Sequence, residues 1–262
     1  MTQHPLDPIS IPLFFVLYVV VMFICYEVGF RVGRWWQDRE PGEQEGPTEM
    51  LVGSLLALMA FLLAVTMSMA SDRFDTRRNN VLHSANAIGT AYLQAGYLPE
   101  PQAESLRELL RRYLPLRIAV SDLVQLRSNL DRSLELEQEM WAIVQEAARS
   151  GYNPDLMSAL GDAVSEIVSA GETRVTAALY ARVPDTVLLI LLAGSALSVV
   201  MIGYTAGIKR RRSLLSATVL ILVTGVVLTL VIDLDRPREG FLIVNQQPLL
   251  DVQQWIGTPS EG

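Results

Sequence analysis

The chain has 262 residues, half of them apolar, and a mean hydropathy of +0.30, a composition that a water-soluble globular protein of this size does not carry. A net charge of −7 argues against a nucleic-acid partner, which needs a basic face to neutralise phosphates. One cysteine, Cys25, rules out an internal disulfide, and two distant histidines, His4 and His83, leave no His/Cys zinc centre.

In chain order, the first ten residues hold no Lys or Arg and so lack the basic segment of a secretory signal peptide. The apolar run from Ile11 to Phe30, interrupted only by Glu27, reads as a retained first span. Glu27 sits one turn before Arg31, and pairing between them is preferred to a carboxylate on an ion path. Trp35 and Trp36 beside Arg31 and Arg34 fit the headgroup belt of a bilayer. The stretch QDREPGEQEGPTE is then a polar loop.

From Met50 to Ser71 run 22 residues without an ionisable side chain. A helix of that length reaches about 33 Å, enough for a hydrocarbon core of about 30 Å. Gly53 with Ala57, and Ala60 with Ala64 and Ser68, give it a face of small residues suited to close helix packing. No Gly or Pro separates this run from SDRFDTRRNNVLHSANAIGTAY, where Phe74, Arg78, Val81, Ala85, Ile88 and Tyr92 alternate by four and three. The pattern predicts a membrane span that continues directly as a packed soluble helix.

Residues 72–185 contain no run long enough to span, and hold 12 Arg against 16 acidic residues. Their periodicity is helical throughout. One helix is predicted from Pro101 to about Arg127, kinked or broken at Pro115, and a next from about Leu130 to Arg149 with Leu134, Trp141 and Val144 turned inward. Asn153 is placed as the N-cap of a fourth helix that opens on Pro154 and runs to about Arg182, and Pro184 marks the junction with the third span. Such stripes bury one another within a bundle or between subunits of a coiled coil.

The third span, Thr186 to Gly207, ends on the pair Gly203 and Gly207, which permits close helix approach. Lys209, Arg210, Arg211 and Arg212 follow as a topology determinant or a contact for lipid headgroups, and the fourth span covers Leu214 to Ile232. The charge rule places the short loops in the cytoplasm and the termini with the helical domain outside. The tail after Asp233 is patterned rather than loose, and is expected to dock on the helical domain.

The predicted fold is therefore all-α: four transmembrane helices in two hairpins, with a long helical insertion between the second and third spans. Its divisions are residues 1–71, 72–185, 186–232 and 233–262. Three pieces of the chain, SDRFDTRRNNVLHSANAIGTAYLQAGYLP, RELLRRYLPLR and DLDRPREGFLIVNQQPL, resemble a bacterial integral membrane family described as bestrophin-like. The resemblance runs from about Leu51 to Val252. It implies that Asn86, Ala87, Ile88, Gly89, Thr90 and Tyr92 form the family's signature helix, and that Asp233, Asp235, Arg236, Pro237, Arg238, Gln246, Gln247 and Pro248 form its closing motif. Through a distant relation to bestrophins, which are pentameric anion channels, it further implies a multi-pass protein of the bacterial inner membrane and a homo-oligomer. Bestrophins keep the long domain in the cytoplasm, opposite to the charge reading.

The sequence offers no phosphate loop, nucleophile elbow, HExxH or metal-spaced cluster, so neither an enzyme nor a bound cofactor is expected. Asp233 and Asp235 beside Arg236 and Arg238 read as an ion-paired helix end rather than an acid/base pair. Two functions remain: an oligomeric channel for small ions in a lipid bilayer, anions before cations, or a non-conducting signalling or scaffold protein whose second span transmits movement to a soluble domain.

Overall fold

The computed structural model describes residues 9–39, 45–118, 123–179, 182–212, 214–236 and 240–257. Their regular structure is helical: α1 (Ile11–Arg39), α2 (Glu45–Gln94), α3 (Gln102–Arg117), α4 (Leu123–Arg149), α5 (Pro154–Leu179), α6 (Asp185–Ile208), α7 (Leu214–Asp235) and α8 (Gln247–Ile256), with a short 3-10 turn at Ala95–Tyr97. By length and composition α1, α2, α6 and α7 are each able to cross a membrane. Among the described residues the regular structure is thus all-helical, with four candidate membrane spans.

The chain divides into two compact units, one of Met1–Phe74 with Arg182–Leu242, the other of Asp75–Ala181 with Ile243–Gly262. In the first, α1 packs chiefly on α6 and then on α7. One stripe of α1, Ile11, Phe14, Tyr18, Met22, Tyr26 and Phe30, is buried against Leu188, Leu191 and Val199 of α6 and Ile221, Leu228 and Val231 of α7. Its other sides, among them Leu13, Val20, Ile24 and Val28, are exposed. An apolar exterior around a narrow buried stripe is what lipid as solvent allows and water forbids. Several hydroxyls inside are satisfied locally: Ser195 donates to Leu191 O at 2.7 Å, Thr224 to Leu220 O at 2.8 Å, and Tyr18 to Thr224 Oγ1 at 3.0 Å, whereas among the described residues the buried Tyr26 hydroxyl and Thr229 Oγ1 meet no partner.

In the second unit the later part of α2 presents Val81, Ala85, Ile88 and Ala91, while α3 packs on α4, α4 on α5, and α8 on α3. Leu106, Leu110, Met140, Leu160 and Ile167 lie at its centre. Asn153 Oδ1 accepts the Asp155 N–H at 2.9 Å, an N-cap that starts α5 on Pro154.

Several boundaries differ from the sequence reading. The helix that carries the predicted first span runs on past Phe30 to Arg39, with Gly33 still lying on a partner helix. The second begins at Glu45, inside the stretch read as loop. The pattern read through to Arg127 is divided close to the predicted kink or break: α3 ends at Arg117, with Pro115 inside its last turn. The following helix then starts at Leu123 rather than Leu130. Its inner face is Ser133, Leu136, Glu137, Met140, Val144 and Ala147, while Leu134 and Trp141 are exposed. The seam holds small and polar residues because Glu137 meets the Tyr113 hydroxyl there, at 2.7 Å, so picking the largest apolar residues selects the wrong side. On α2 the buried arginine is Arg77, and Arg78 faces out.

Candidate functional site

The membrane unit is held by a glycine seam between α1 and α6. A β-carbon on Gly29 would fall on the Val200 carbonyl and one on Gly33 on that of Tyr204. Reciprocally, one on Gly203 would fall on Tyr26 O and one on Gly207 on Phe30 O. The two helices therefore run parallel with backbones in contact, each offering glycines four residues apart. Gly29 and Gly33 are the half of this seam that sequence reasoning missed, although their spacing repeats that of Gly203 and Gly207.

Both ends of this core are fastened by polar side chains. At one end Asp233, 2% exposed, accepts the Phe241 N–H at 2.8 Å on one oxygen and the Leu242 N–H at 3.1 Å on the other. Asp235 accepts the Val183 N–H at 2.7 Å, just ahead of α6, and Arg236 donates to Ile9 O at 2.6 Å, just ahead of α1. Gly240, at φ +144°, has its Cα so near the Asp233 carboxylate that a side chain would overlap it. The paired carboxylates are thus acceptors for backbone amides, a holding role. Pro237 and Arg238 lie outside the described residues. At the other end Arg210 pairs with Asp38, while Arg212 reaches Glu27 at 3.3 Å and covers the Phe30 ring at 4.6 Å. Glu27 also accepts from Arg31 at 3.0 Å. Arg210 and Arg212 of the loop are therefore tied to α1, and all four loop cations are exposed.

Against this fastened core, α2 is conspicuously bare. Only 17% of its apolar window is buried, against 28–33% for the other three spans. Met59, Leu63, Thr66 and Ala70 turn inward, with Met59 lying against Gly194 of α6. Gly53 has nothing within 4 Å, and Ala57, Ala60, Ala64 and Ser68 continue its exposed stripe of small residues. A second exposed stripe holds Leu51, Leu58, Phe61 and Val65. The helix continues unbroken past Ser71 and Asp72 to Gln94, about 75 Å in all.

In the other unit, Gly89 lies under the Trp255 ring of α8, and Tyr92 meets that ring edge-on at 5.7 Å between centroids. The Tyr92 hydroxyl accepts Arg111 Nη2 at 2.9 Å, and Arg111 Nε donates to Ile256 O at 3.0 Å. Arg111 also holds Glu104 at 2.7 Å and draws its carboxyl below the usual range, while the carboxylates raise the guanidinium's own affinity for its proton. Asn86 and Thr90 are exposed. Arg174 Nη2 donates to Gln246 Oε1 at 2.6 Å, Gln247 donates Nε2 to Asp251 at 2.7 Å, and Pro248 enters the first turn of α8. Gly89 and Tyr92 thus meet α8 near its end, at Trp255, whereas Gln246, Gln247 and Pro248 form its start. Among the described residues there is no group of three or more His, Cys, Asp or Glu arranged to hold a metal.

The family profile of the bestrophin-like domain matches residues 15–249. The chain belongs to the bestrophin-like family. The bestrophin-like fold here is similar to the crystal structure of a point-mutated bacterial bestrophin homologue from Klebsiella pneumoniae, with 14% identity and a TM-score of 0.69 over 94% of this chain and 97% of that one. Another structure of a bestrophin homologue from that organism, determined by Zn-SAD phasing, gives 14% identity and a TM-score of 0.64 over 94% and 96% of the two chains. A membrane protein of unstated source gives 14% and 0.63 over 93% and 98%. No curated protein matches this bestrophin-like chain significantly in sequence.

Proposed function

We propose that this chain is the protomer of an oligomeric channel for small ions, and that α2 lines the axis shared by its copies. The observation that carries the reading is the bareness of α2, which exposes one stripe of small residues and one of large apolar residues although its neighbours are packed. The small stripe suits close approach of the next copy's helix, and the large one, Leu58, Phe61 and Val65, suits an apolar constriction. Such a constriction favours ions that shed water easily, so large monovalent anions pass before small cations. In this reading the four spans form two sequential hairpins, α1 with α2 and α6 with α7, folded so that α1 lies on α6. The protein sits in the bacterial inner membrane with its short loops in the cytoplasm, and Asp75–Ala181 forms an extramembrane helical domain on which the tail docks.

Purified protein in liposomes is expected to release iodide faster than potassium, and faster than empty liposomes at either polarity. Release no faster than from empty liposomes contradicts conduction. A second reading, a non-conducting coupler, rests on the unbroken passage of α2 through Ser71 and Asp72.

A further inference from the structure

A guanidinium withdrawn from water needs an opposite charge or a full set of acceptors. Two arginines of the helical unit depart from that rule. Arg117, at the last turn of α3, is 9% exposed, and its guanidinium lies in a notch of α5: a β-carbon on Gly171 would come within 2.8 Å of Nη2 and 3.3 Å of the Tyr113 hydroxyl. Arg174, one turn further along α5, donates Nη1 to the Arg117 carbonyl at 2.6 Å and Nη2 to Gln246 Oε1 at 2.6 Å. Both acceptors are neutral. Among the described residues neither arginine has an ion-pair partner within 4.0 Å, and the face of the Tyr113 ring, 5.6 Å from the Arg117 guanidinium, supplies only a quadrupole.

A carboxyl also stands in this cluster, beyond ion-pair distance of either guanidinium. Glu137 of α4 accepts the Tyr113 hydroxyl, and burial pushes its carboxyl above the ordinary range. Burial first, and the charge of Arg117 second, pull Arg174 down to about 10. Two cations thus stand together, joined through the Arg117 carbonyl, with neither guanidinium ion-paired among the described residues. Compact inorganic anions meet that need, because each guanidinium still has donors to spare.

We propose that the guanidiniums of Arg117 and Arg174 bind a small inorganic anion in the helical unit, held in the notch at Gly171. The anion fixes Arg174 and with it Gln246, the residue that opens onto α8. Anion concentration therefore sets the stability of α8 on its unit, whether or not the protein conducts.

The test uses the full chain in detergent, with bromide as the probe and gluconate as the bulky control at constant ionic strength. The thermal midpoint is expected to rise by about 3 °C, and to saturate, as bromide goes to about 100 mM. Arg174→Gln and Arg117→Gln remove the response, and Gly171→Ala, which pushes Arg117 aside, shifts it to higher bromide. An equal midpoint in the two salts, or the same saturating rise in Arg174→Gln, overturns the proposal. Crystals of the unaltered protein soaked in bromide give the answer without a substitution: an anomalous peak at both guanidiniums is expected, and none there overturns it. Ion flux is not read in either experiment, so failure of the channel reading leaves the result intact.

Discussion

Gly203 of α6 lies so close to Tyr26 of α1 that a single added carbon would occupy the place of the Tyr26 carbonyl oxygen. Backbone cannot give way as a side chain can, so this contact fixes both the distance and the register of the two helices. Gly203→Val is expected to abolish the folded protomer, read as loss of the monodisperse peak and of a cooperative melt. Gly53→Val, at a position with nothing within 4 Å, leaves the protomer's melt in place and lowers the mass of the particle, because Gly53 belongs to the face assigned to the neighbouring copy.

Asp233 holds two backbone amides, those of Phe241 and Leu242. Asp233→Ala leaves both without this acceptor in a part-buried place, at a cost of about 0.5–1.5 kcal/mol each. Asp233→Asn keeps one acceptor and loses less. The thermal midpoints are expected in the order wild type, Asn, Ala. Equal midpoints would show that the amides find other acceptors.

Glu137 gives the fold a pH dependence of known sign. Burial raises its carboxyl in the folded state, so the folded form keeps the proton to higher pH than the unfolded chain does. The stability it contributes is full below its ordinary value of 4.5 and is lost as pH rises through the raised value. Glu137→Gln, which still accepts from Tyr113, is expected to raise the melting point at pH 8 and to change it little at pH 5. Glu104 titrates the other way, since the Arg111 hydrogen bond lowers it and its contribution fades as pH falls. A gain for Glu137→Gln that is the same at both pH values contradicts the assignment.

On α2, Phe61 is 64% exposed in the protomer. Phe61→Ala widens the proposed constriction and is expected to raise iodide release several-fold, whereas Val20→Ala on the lipid-facing side of α1 leaves it unchanged. Two glycines inserted after Ser71 break the one helix common to membrane and soluble residues. They should leave basal release intact if α2 only lines a pore, and abolish any response to a soluble stimulus if it also couples.

The four spans were legible because an uncharged run of about 20 residues has few other physical solutions. The continuity of α2 was legible for a related reason: no Gly or Pro interrupts it. The α1 seam was harder. Run length ends the first span at Phe30, near the charges at Glu27 and Arg31, yet Gly33 still packs on Tyr204 because the contact follows the glycines and not the hydropathy. Asp235 could not be assigned its partner from the sequence, since the amide it accepts belongs to Val183, 52 residues away. On α4 the sequence reading finds Val144 but gives it the larger Leu134 and Trp141 as companions, whereas the buried line runs through Leu136, Met140 and Ala147 and includes the polar Ser133 and Glu137.

The central claim is that copies of this chain assemble around α2. Cryo-electron microscopy of the detergent-solubilised particle tests it most directly. A closed ring with Leu58, Phe61 and Val65 of every copy facing a common axis is the expected result, and a monomer, or a ring in which α2 lies on the outer rim, contradicts it.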